Sequence, residues 1–300
     1  MERKSCILVI GATGAQGGSV AKHLLKSQMF EVRCLTRNPE SENANKLKEA
    51  GAEIKEGNLN DKDSIVEALD GCETVFGVTN FWEHTRDEYK QGINLIDAVV
   101  EANTKNFILS TQPYSYEISG GMLSVPQCDI KGRLEAYAKS KKPETIFLHM
   151  SFYYDNFIKL FPPQKGADGS YFISFPQGDA PLASVSPDDL GGILLPVFQN
   201  PKDYYGSTIP AVGEFMTGEE YAFVLSKLTE KKFRYLHIPR KHFANAPTPF
   251  AEEMANMFEF YRTYQPYRKA EMEQCRKLYP SLKSFEEHMT EKKEALEAIL

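Results

Sequence analysis

The sequence lacks a zinc-binding cysteine pattern, an excess of basic residues and a long apolar run. We expect its cysteines to be reduced thiols. Its five cysteines are widely spaced, and neither a Cys-x-x-Cys pair nor a histidine cluster is present to bind zinc. It has no basic excess, since its net charge is −6, which argues against direct binding to nucleic acid or an anionic membrane. Its apolar runs are too short for a signal-peptide core or a membrane span. We therefore expect a cytoplasmic location and leave a nuclear one open.

Short β-branched or aromatic runs alternate with amphipathic segments over the first 150 residues. The runs predict strands at residues 6–10, 31–36, 52–56, 73–79, 106–111 and 145–150. The segments between them predict helices at residues 16–26, 61–69, 86–102 and 130–139. Because parallel strands need crossover connections, this alternation predicts an α/β fold with a doubly wound parallel Rossmann sheet.

The alternation weakens after residue 150, where proline and glycine mark several turns. A further helix is predicted to begin near Ser186-Pro187, and the chain from residue 251 onward has a helical pattern. We therefore expect a smaller, mostly helical α/β lobe at residues 151–300, beside a first domain at residues 1–150. Some of the chain at about 180–200 is expected to return to the first domain.

A glycine-rich turn joins the first predicted strand to the first predicted helix. It contains Gly11, Ala12, Thr13, Gly14, Ala15, Gln16 and Gly17. A turn of this kind brings backbone N–H groups against a pyrophosphate at the positive end of the helix, where a Cβ would obstruct the approach. The turn therefore predicts a dinucleotide site, and we expect Gly14→Val and Gly17→Val to abolish binding while the chain still folds.

Arg37 follows the second predicted strand, where NAD-binding folds commonly place an acidic residue on the ribose 2′-hydroxyl. An acidic side chain would repel a 2′-phosphate, whereas a guanidinium attracts it with a planar set of donors. The cofactor predicted from Arg37 is NADP(H) in preference to NAD(H).

Several blocks along the whole chain resemble the NmrA-like family, an atypical branch of the short-chain dehydrogenase/reductase superfamily. They include the glycine turn with its Gly-x-x-Gly-x-x-Gly spacing, Thr36-Arg37-Asn38-Pro39, Val78-Thr79-Asn80-Phe81-Trp82-Glu83, Lys131-Gly132, Tyr153-Tyr154-Asp155-Asn156 and Asp188-Asp189-Leu190-Gly191. Taken together these blocks are highly specific.

The resemblance implies roles for further residues. Asn58 and Leu59 follow the third strand on the adenine side, and Asn58 stands where close relatives carry an acidic residue. Thr79, Asn80 and Phe81 would line the ribose side of the cofactor. The residues implied at the nicotinamide half are Lys90, Lys131, Tyr153, Tyr154, Asp155 and Asn156.

The usual proton donor of a short-chain reductase is absent, because the residue four before Lys131 is Gln127 and not tyrosine. Tyr137 and Lys141 have the Tyr-x-x-x-Lys spacing. They lie further down the same predicted helix, away from the ligand edge of the sheet, so we expect both at the surface.

Two hypotheses of function remain. The first is an NADP(H)-responsive regulator or redox sensor without dehydrogenase activity, which acts through a protein partner. The second is an NADPH-dependent reductase of quinone or carbonyl substrates that uses Lys131. The aromatic runs at residues 152–157 and 254–261 are equally consistent with a buried core and with a partner surface. The sequence names neither the regulatory partner nor the substrate, and a homodimer is left open.

Overall fold

The computed structural model describes residues 4–265 and 269–300. Its strands are β1 (Cys6–Ile10), β2 (Glu31–Thr36), β3 (Glu53–Glu56), β4 (Thr74–Gly77), β5 (Asn106–Thr111), β6 (Ile146–Met150), β7 (Phe152–Tyr153), β8 (Gln164–Lys165), β9 (Tyr171–Phe175), β10 (Leu182–Val185), β11 (Thr208–Ala211), β12 (Glu214–Met216) and β13 (Phe233–His237). Its α-helices are α1 (Ala15–Ser27), α2 (Glu42–Glu49), α3 (Lys62–Leu69), α4 (Glu88–Glu101), α5 (Ser115–Ile118), α6 (Pro126–Lys141), α7 (Asn156–Lys159), α8 (Leu190–Gln199), α9 (Gly218–Thr229), α10 (Arg240–Ala244), α11 (Ala251–Tyr264), α12 (Lys269–Leu278), α13 (Phe285–Glu291) and α14 (Lys293–Glu297). Two 3-10 helices lie at Pro187–Asp189 and Pro201–Tyr204.

The chain divides into two compact units. Unit 1 contains residues 1–114, 127–149 and 188–209, and unit 2 contains residues 115–126, 150–187 and 210–300. This division differs from the expected domain boundary at residue 150. Residues 115–126 belong to unit 2, and residues 188–209 belong to unit 1. The return lies a few residues later than the expected 180–200.

A seven-stranded sheet organises unit 1, in the order β11-β6-β5-β4-β1-β2-β3. The pairs β1–β2, β1–β4, β2–β3, β4–β5 and β5–β6 are parallel, as expected for a doubly wound sheet. From β1 the chain proceeds outward to β2 and β3 and then returns to the other side of β1 as β4. The order thus reverses between β1 and β4, where doubly wound sheets bind ligands at the carboxyl ends of their strands.

The burial of their side chains is consistent with the central positions of β1, β4 and β5 in the sheet. All side chains of β1, β4 and β5 are buried, as is typical of parallel strands covered by helices on both faces. A core cluster that includes Leu8, Ile65, Leu95, Phe107 and Phe147 packs helices against this sheet.

Unit 2 contains two three-stranded sheets, in the orders β12-β10-β7 and β13-β9-β8. Its core is aromatic. The Phe258 ring lies 5.9 Å from Phe152 and 5.5 Å from Phe175, and the Phe157 ring lies 4.5 Å from Tyr221. Most of the apolar and aromatic side chains in the runs 152–157 and 254–261 are therefore buried in this core.

The described helices are all too short or too polar to cross a membrane.

Candidate functional site

The glycine turn directly follows β1, at the reversal point of the sheet. Gly11 has a φ of +69°, in the left-handed region that favours glycine, and its carbonyl accepts a hydrogen bond of 2.9 Å from the Gly14 N–H. Gly14 is the N-cap of α1, and the first turn of α1 contains no acidic residue. Because the first N–H groups of a helix have no partner within it, this end of α1 is suited to bind an anion.

The space around Gly14 fits a phosphate group. A Cβ at Gly14 would approach only the Gly11 carbonyl oxygen, at 3.4 Å, so the surrounding protein leaves this position open. An open cleft of about 610 Å³ adjoins the turn and is lined by Thr13, Gly14, Lys22, Lys26 and Lys46, among others. This volume is typical of small-molecule sites, and three lysines are among the lining residues, of which Lys46 is paired with Glu42 at 2.6 Å.

Arg37 follows β2, and its side chain is 52% exposed. Its Nη2 donates a hydrogen bond of 2.5 Å to Glu83 Oε1, and its Nη1 lies 3.1 Å from His84 Nε2. The guanidinium holds the pKa of Glu83 below its ordinary value. Arg37 thus lies at the end of β2, as the sequence predicts, and its guanidinium donates to the Glu83 carboxylate.

Asn58 and Leu59 follow β3. The Asn58 side-chain oxygen accepts a hydrogen bond of 3.0 Å from the Asn60 N–H, and the Leu59 carbonyl accepts one of 2.8 Å from Asn94. An amide oxygen has two lone pairs, so Asn58 keeps capacity to accept from an adenine amino group.

A buried group of polar residues lies after β4. Lys131 Nζ donates to the Thr79 carbonyl at 3.0 Å, to Thr79 Oγ1 at 2.9 Å, and to Glu88 Oε1. Thr79 Oγ1 in turn donates to Glu88 Oε1 at 2.7 Å. The Glu88 side chain is fully buried, so Lys131 supplies the counter-charge for a carboxylate that water does not reach.

Next to this group, several polar atoms are buried without a hydrogen bond to any described residue. They are Glu88 Oε2 and both side-chain polar atoms of Gln127. Gln127 and Lys131 lie one helical turn apart on α6, where positions four residues apart share a face. Such atoms cost free energy unless water or a ligand satisfies them, so they are positions at which a polar group can be bound.

The other residues assigned to this region are placed differently. Phe81 is buried and Asn80 is exposed, with its Nδ2 donating to Glu83 Oε2 at 3.3 Å. Lys90 is exposed on α4 and takes no part in the hydrogen bonds of Lys131, because the buried face of that helix is the one that carries Glu88 and Gln91.

The 153–156 segment belongs to unit 2. Tyr154 is fully buried, with its ring 5.4 Å from that of Phe285, so its side chain is not open to a ligand. Burial raises the pKa of Asp155, but hydrogen bonds from His288 at 2.8 Å and Lys159 at 2.6 Å outweigh it and hold that pKa well below the ordinary value. Tyr153 and Asn156 are half-buried.

Two acidic residues of unit 1 escaped the sequence argument. Glu88 could have been found, because it shares the helical spacing of the buried Gln91, Gly92 and Leu95. Glu83 carries no such signal, since its contact with Arg37 joins residues 46 positions apart.

The alternative chemistries have little structural support. Tyr137 donates to Asp97 at 2.8 Å, and this bond raises the Tyr137 pKa, which is the wrong direction for a proton donor. Burial raises the pKa of Cys34 to about 12, so its thiol is unreactive. Among residues 4–265 and 269–300, no three His, Cys, Asp or Glu side chains are grouped to hold a metal ion.

Unit 2 does bring together a serine, a histidine and an aspartate, which the sequence argument did not anticipate. His288 Nδ1 lies 3.0 Å from Ser186 Oγ and His288 Nε2 lies 2.8 Å from Asp155 Oδ1. Ser186 and His288 are both fully buried, so the serine is not open to a substrate and the group links elements of the core.

The reversal-point turn and the arginine after β2 define a Rossmann-type α/β protein. A model of the NmrA-like family matches residues 3–289, so the chain belongs to the NmrA-like family and the resemblance of its motifs is confirmed. An NmrA-like family domain-containing protein of Dictyostelium discoideum is 33% identical over 269 residues, which cover 86% of this chain and 87% of that protein. An NmrA-like family domain-containing oxidoreductase of Aspergillus hancockii is 32% identical over 248 residues, which cover 76% of this chain and 74% of that protein.

Solved structures show the same fold. NmrA, a negative transcriptional regulator solved in complex with NADP, has a TM-score of 0.84 at 21% identity and covers 100% of this chain and 99% of its own. An NADPH-dependent quinone oxidoreductase of Escherichia coli, complexed with NADPH, has a TM-score of 0.80 at 20% identity and covers 96% of this chain and 99% of its own.

Proposed function

We propose that the chain binds NADP(H) at the glycine turn and Arg37, and that it acts as an NADP(H)-responsive regulator through a protein partner. The observation that carries this proposal is the open N-terminus of α1 beside Gly14, together with a guanidinium at the end of β2. The first would hold the pyrophosphate and the second the 2′-phosphate. The NADP complex of NmrA, which is described as a transcriptional regulator, supports both parts of the proposal.

The state of Lys131 supports a role without dehydrogenase activity. An ammonium group has three N–H donors, and all three of those on Lys131 point to Thr79 and Glu88. The N–H groups of this lysine are thus used within the protein, and Gln127, an amide, has no proton to give at neutral pH.

A second candidate is an NADPH-dependent reductase of quinones or carbonyl compounds, with Lys131 as proton donor. NADPH, when bound, supplies a hydride to such an acceptor. This candidate is supported by the unpartnered buried atoms of Glu88 and Gln127, at which a polar group can be bound, and by relatives that are named oxidoreductases. Lys131 would have to exchange one of its hydrogen bonds for the substrate oxygen.

Cofactor binding is tested by titration calorimetry of wild type and Arg37→Ala. The variant should lose roughly 1.5–3 kcal/mol of binding free energy for NADP(H), the range for hydrogen bonds between charged groups, with little change for NAD(H). Arg234→Ala, which removes an exposed arginine of unit 2 that also pairs with a carboxylate, Asp168, is the matched control and should bind as wild type. Equal wild-type affinities for NADP(H) and NAD(H) would contradict the assignment of Arg37.

The choice between regulator and reductase is tested by NADPH consumption with a panel of quinones and carbonyl compounds. If the protein is a regulator without dehydrogenase activity, NADPH should be consumed no faster than in buffer without the protein. If the wild type consumes NADPH with one of these compounds and a folded Lys131→Arg variant does not, the reductase hypothesis is established instead.

A further inference from the structure

Arg37 is already occupied by an anion that belongs to the chain itself. The Glu83 carboxylate accepts from Arg37 Nη2 at 2.5 Å, and its second oxygen accepts from Asn80 at 3.3 Å. These guanidinium donors are the ones on which the proposed function places the 2′-phosphate. Two anions cannot share them closely, because a carboxylate next to a phosphate of charge about −1.5 to −2 is repelled.

Glu83 lies in the middle of a segment that is fixed at both ends. Residues 80–87 connect Thr79 to Glu88, and both of these residues are hydrogen-bonded to Lys131. Between the ends, Arg37 contacts Glu83 and His84. The contact with Arg37 is half-exposed, at 52% and 47% of the two side chains, whereas the contacts with Lys131 are buried. Glu83 and His84 can therefore leave Arg37 while the ends of the segment and the buried Phe81 stay in place.

We propose that Glu83 is a built-in competitor for the 2′-phosphate, so that NADP(H), but not NAD(H), displaces it from Arg37 and frees the side chains of Glu83 and His84 from that contact. This inference rests on the proposed function, because it takes Arg37 as the 2′-phosphate site. The displacement is favourable because exposed ion pairs are weak, whereas a guanidinium binds a phosphate with strong charge-assisted hydrogen bonds. Glu83 thus lowers the affinity for the phosphorylated cofactor and makes the contacts of Glu83 and His84 depend on the 2′-phosphate.

The chain carries a natural reporter of this displacement. Its single tryptophan, Trp82, precedes Glu83, is 47% exposed, and packs edge-to-face on Phe81 at 5.3 Å. A change in the Glu83 contact alters the surroundings of the Trp82 indole, so selective tryptophan fluorescence follows this segment alone.

The experiment titrates 2′,5′-ADP and 5′-AMP, which differ by the 2′-phosphate and contain no nicotinamide. In the wild type, saturating 2′,5′-ADP should shift the Trp82 emission and saturating 5′-AMP should not. In Glu83→Gln, the emission without ligand should already resemble that of the 2′,5′-ADP complex. The variant should bind 2′,5′-ADP about two- to fivefold more tightly, with an unchanged affinity for 5′-AMP.

Asp87→Asn is the matched control, because Asp87 is an exposed acidic residue of the same region that forms no ion pair with Arg37. If Asp87→Asn tightens 2′,5′-ADP binding as much as Glu83→Gln does, the effect is one of general charge and the inference is overturned. Equal emission shifts with 2′,5′-ADP and 5′-AMP in the wild type would overturn it as well. If neither nucleotide binds the wild type, the proposed function fails first, and the inference fails with it.

Discussion

At the scale of single residues, the glycines of the turn are required for different reasons. Gly11 supplies a positive φ. A Cβ at Gly17 would lie 2.4 Å from the Gly11 carbonyl oxygen, which is backbone and cannot rotate away. A Cβ at Gly14 would meet nothing closer than 3.4 Å, so only a ligand needs that space. Gly17 therefore serves the packing of α1 on the turn, whereas the open space at Gly14 is where we propose that a phosphate binds.

This difference corrects the expectation that Gly14→Val and Gly17→Val both leave a folded chain. Gly14→Val should unfold like the wild type but lose NADP(H) binding. Gly17→Val should lower the free energy of unfolding by about 1–3 kcal/mol or more, because the added side chain overlaps the backbone. Chemical denaturation and calorimetry on both variants check this prediction, and a Gly17→Val protein as stable as the wild type would contradict it.

At the scale of secondary-structure elements, Glu135 joins α6 to two strands of the sheet. Its carboxylate accepts from Thr111 on β5 at 2.6 Å and lies 2.7 Å from His149 Nε2 on β6, and Lys139 donates to it from one turn along α6. Burial raises the pKa of Glu135, but these bonds together outweigh burial and lower that pKa to about 2.

This lowered pKa predicts a loss of stability in acid. The unfolded chain protonates Glu135 near its ordinary pKa of 4.5 while the folded chain does not, so the contribution is complete above that pH and is lost as the pH falls toward 2. The contribution is on the order of 2–4 kcal/mol. Denaturation between about pH 6 and 3 should show a shallower decline in the stability of Glu135→Gln than in that of the wild type. Glu49→Gln, at an exposed position on α2, should decline as the wild type does.

Lys131 joins α6 to α4 and to the end of β4, so we predict that it stabilises the fold whether or not it has a catalytic role. Lys131→Met leaves the buried Glu88 carboxylate without its counter-charge and should cost about 3–5 kcal/mol of unfolding free energy. Adding Glu88→Gln to Lys131→Met should restore much of that loss, because the uncompensated charge disappears. A double-mutant cycle measured by denaturation checks this, and an additive double variant would show that the pair is not coupled.

At the scale of the whole molecule, the regulatory proposal requires unit 2 to respond to a cofactor held by unit 1. Hydrogen exchange with and without NADP(H) measures that response. We expect protection at the glycine turn and Arg37, and also within residues 150–175 and 250–265. Protection confined to the glycine turn and Arg37 would show that unit 2 does not respond to the cofactor, and it would contradict a regulatory role that depends on unit 2.

Cofactor binding should also stabilise the molecule as a whole. At a free concentration of one hundred times the dissociation constant, a ligand bound only by the folded state adds about 2.7 kcal/mol. Scanning calorimetry with NADP(H) and with NAD(H), each at the same concentration, should show the larger rise in melting temperature for NADP(H). An equal rise would be inconsistent with a role for Arg37 in discrimination.

The amino-acid sequence by itself determined six of the seven strands of the main sheet and the positions of the turn and of Arg37, whereas the edge strand β11 was not predicted. β1, β2 and β5 begin and end at the predicted residues, because continuous apolar or alternating runs bounded by turn residues are local signals. Helix α2 was not predicted, since Ala44 is its one buried residue and it has no apolar stripe. α9 was also missed, although Thr217 and Glu220 form a capping box that the sequence displays.

Only the tertiary structure decided which charges meet. Glu88 and Lys131 are 43 positions apart, and Arg37 and Glu83 are 46 apart, so no periodicity joins the members of either pair. Likewise, only the tertiary structure showed that residues 115–126 belong to unit 2, whereas a return of the chain to unit 1 near residues 180–200 was expected from the sequence and is observed at residues 188–209. The physical reason is the separation of the interacting residues along the chain. Local hydrogen bonding and side-chain pattern select each helix and strand, whereas distant polar groups pair only after the sheet has brought their strand ends together.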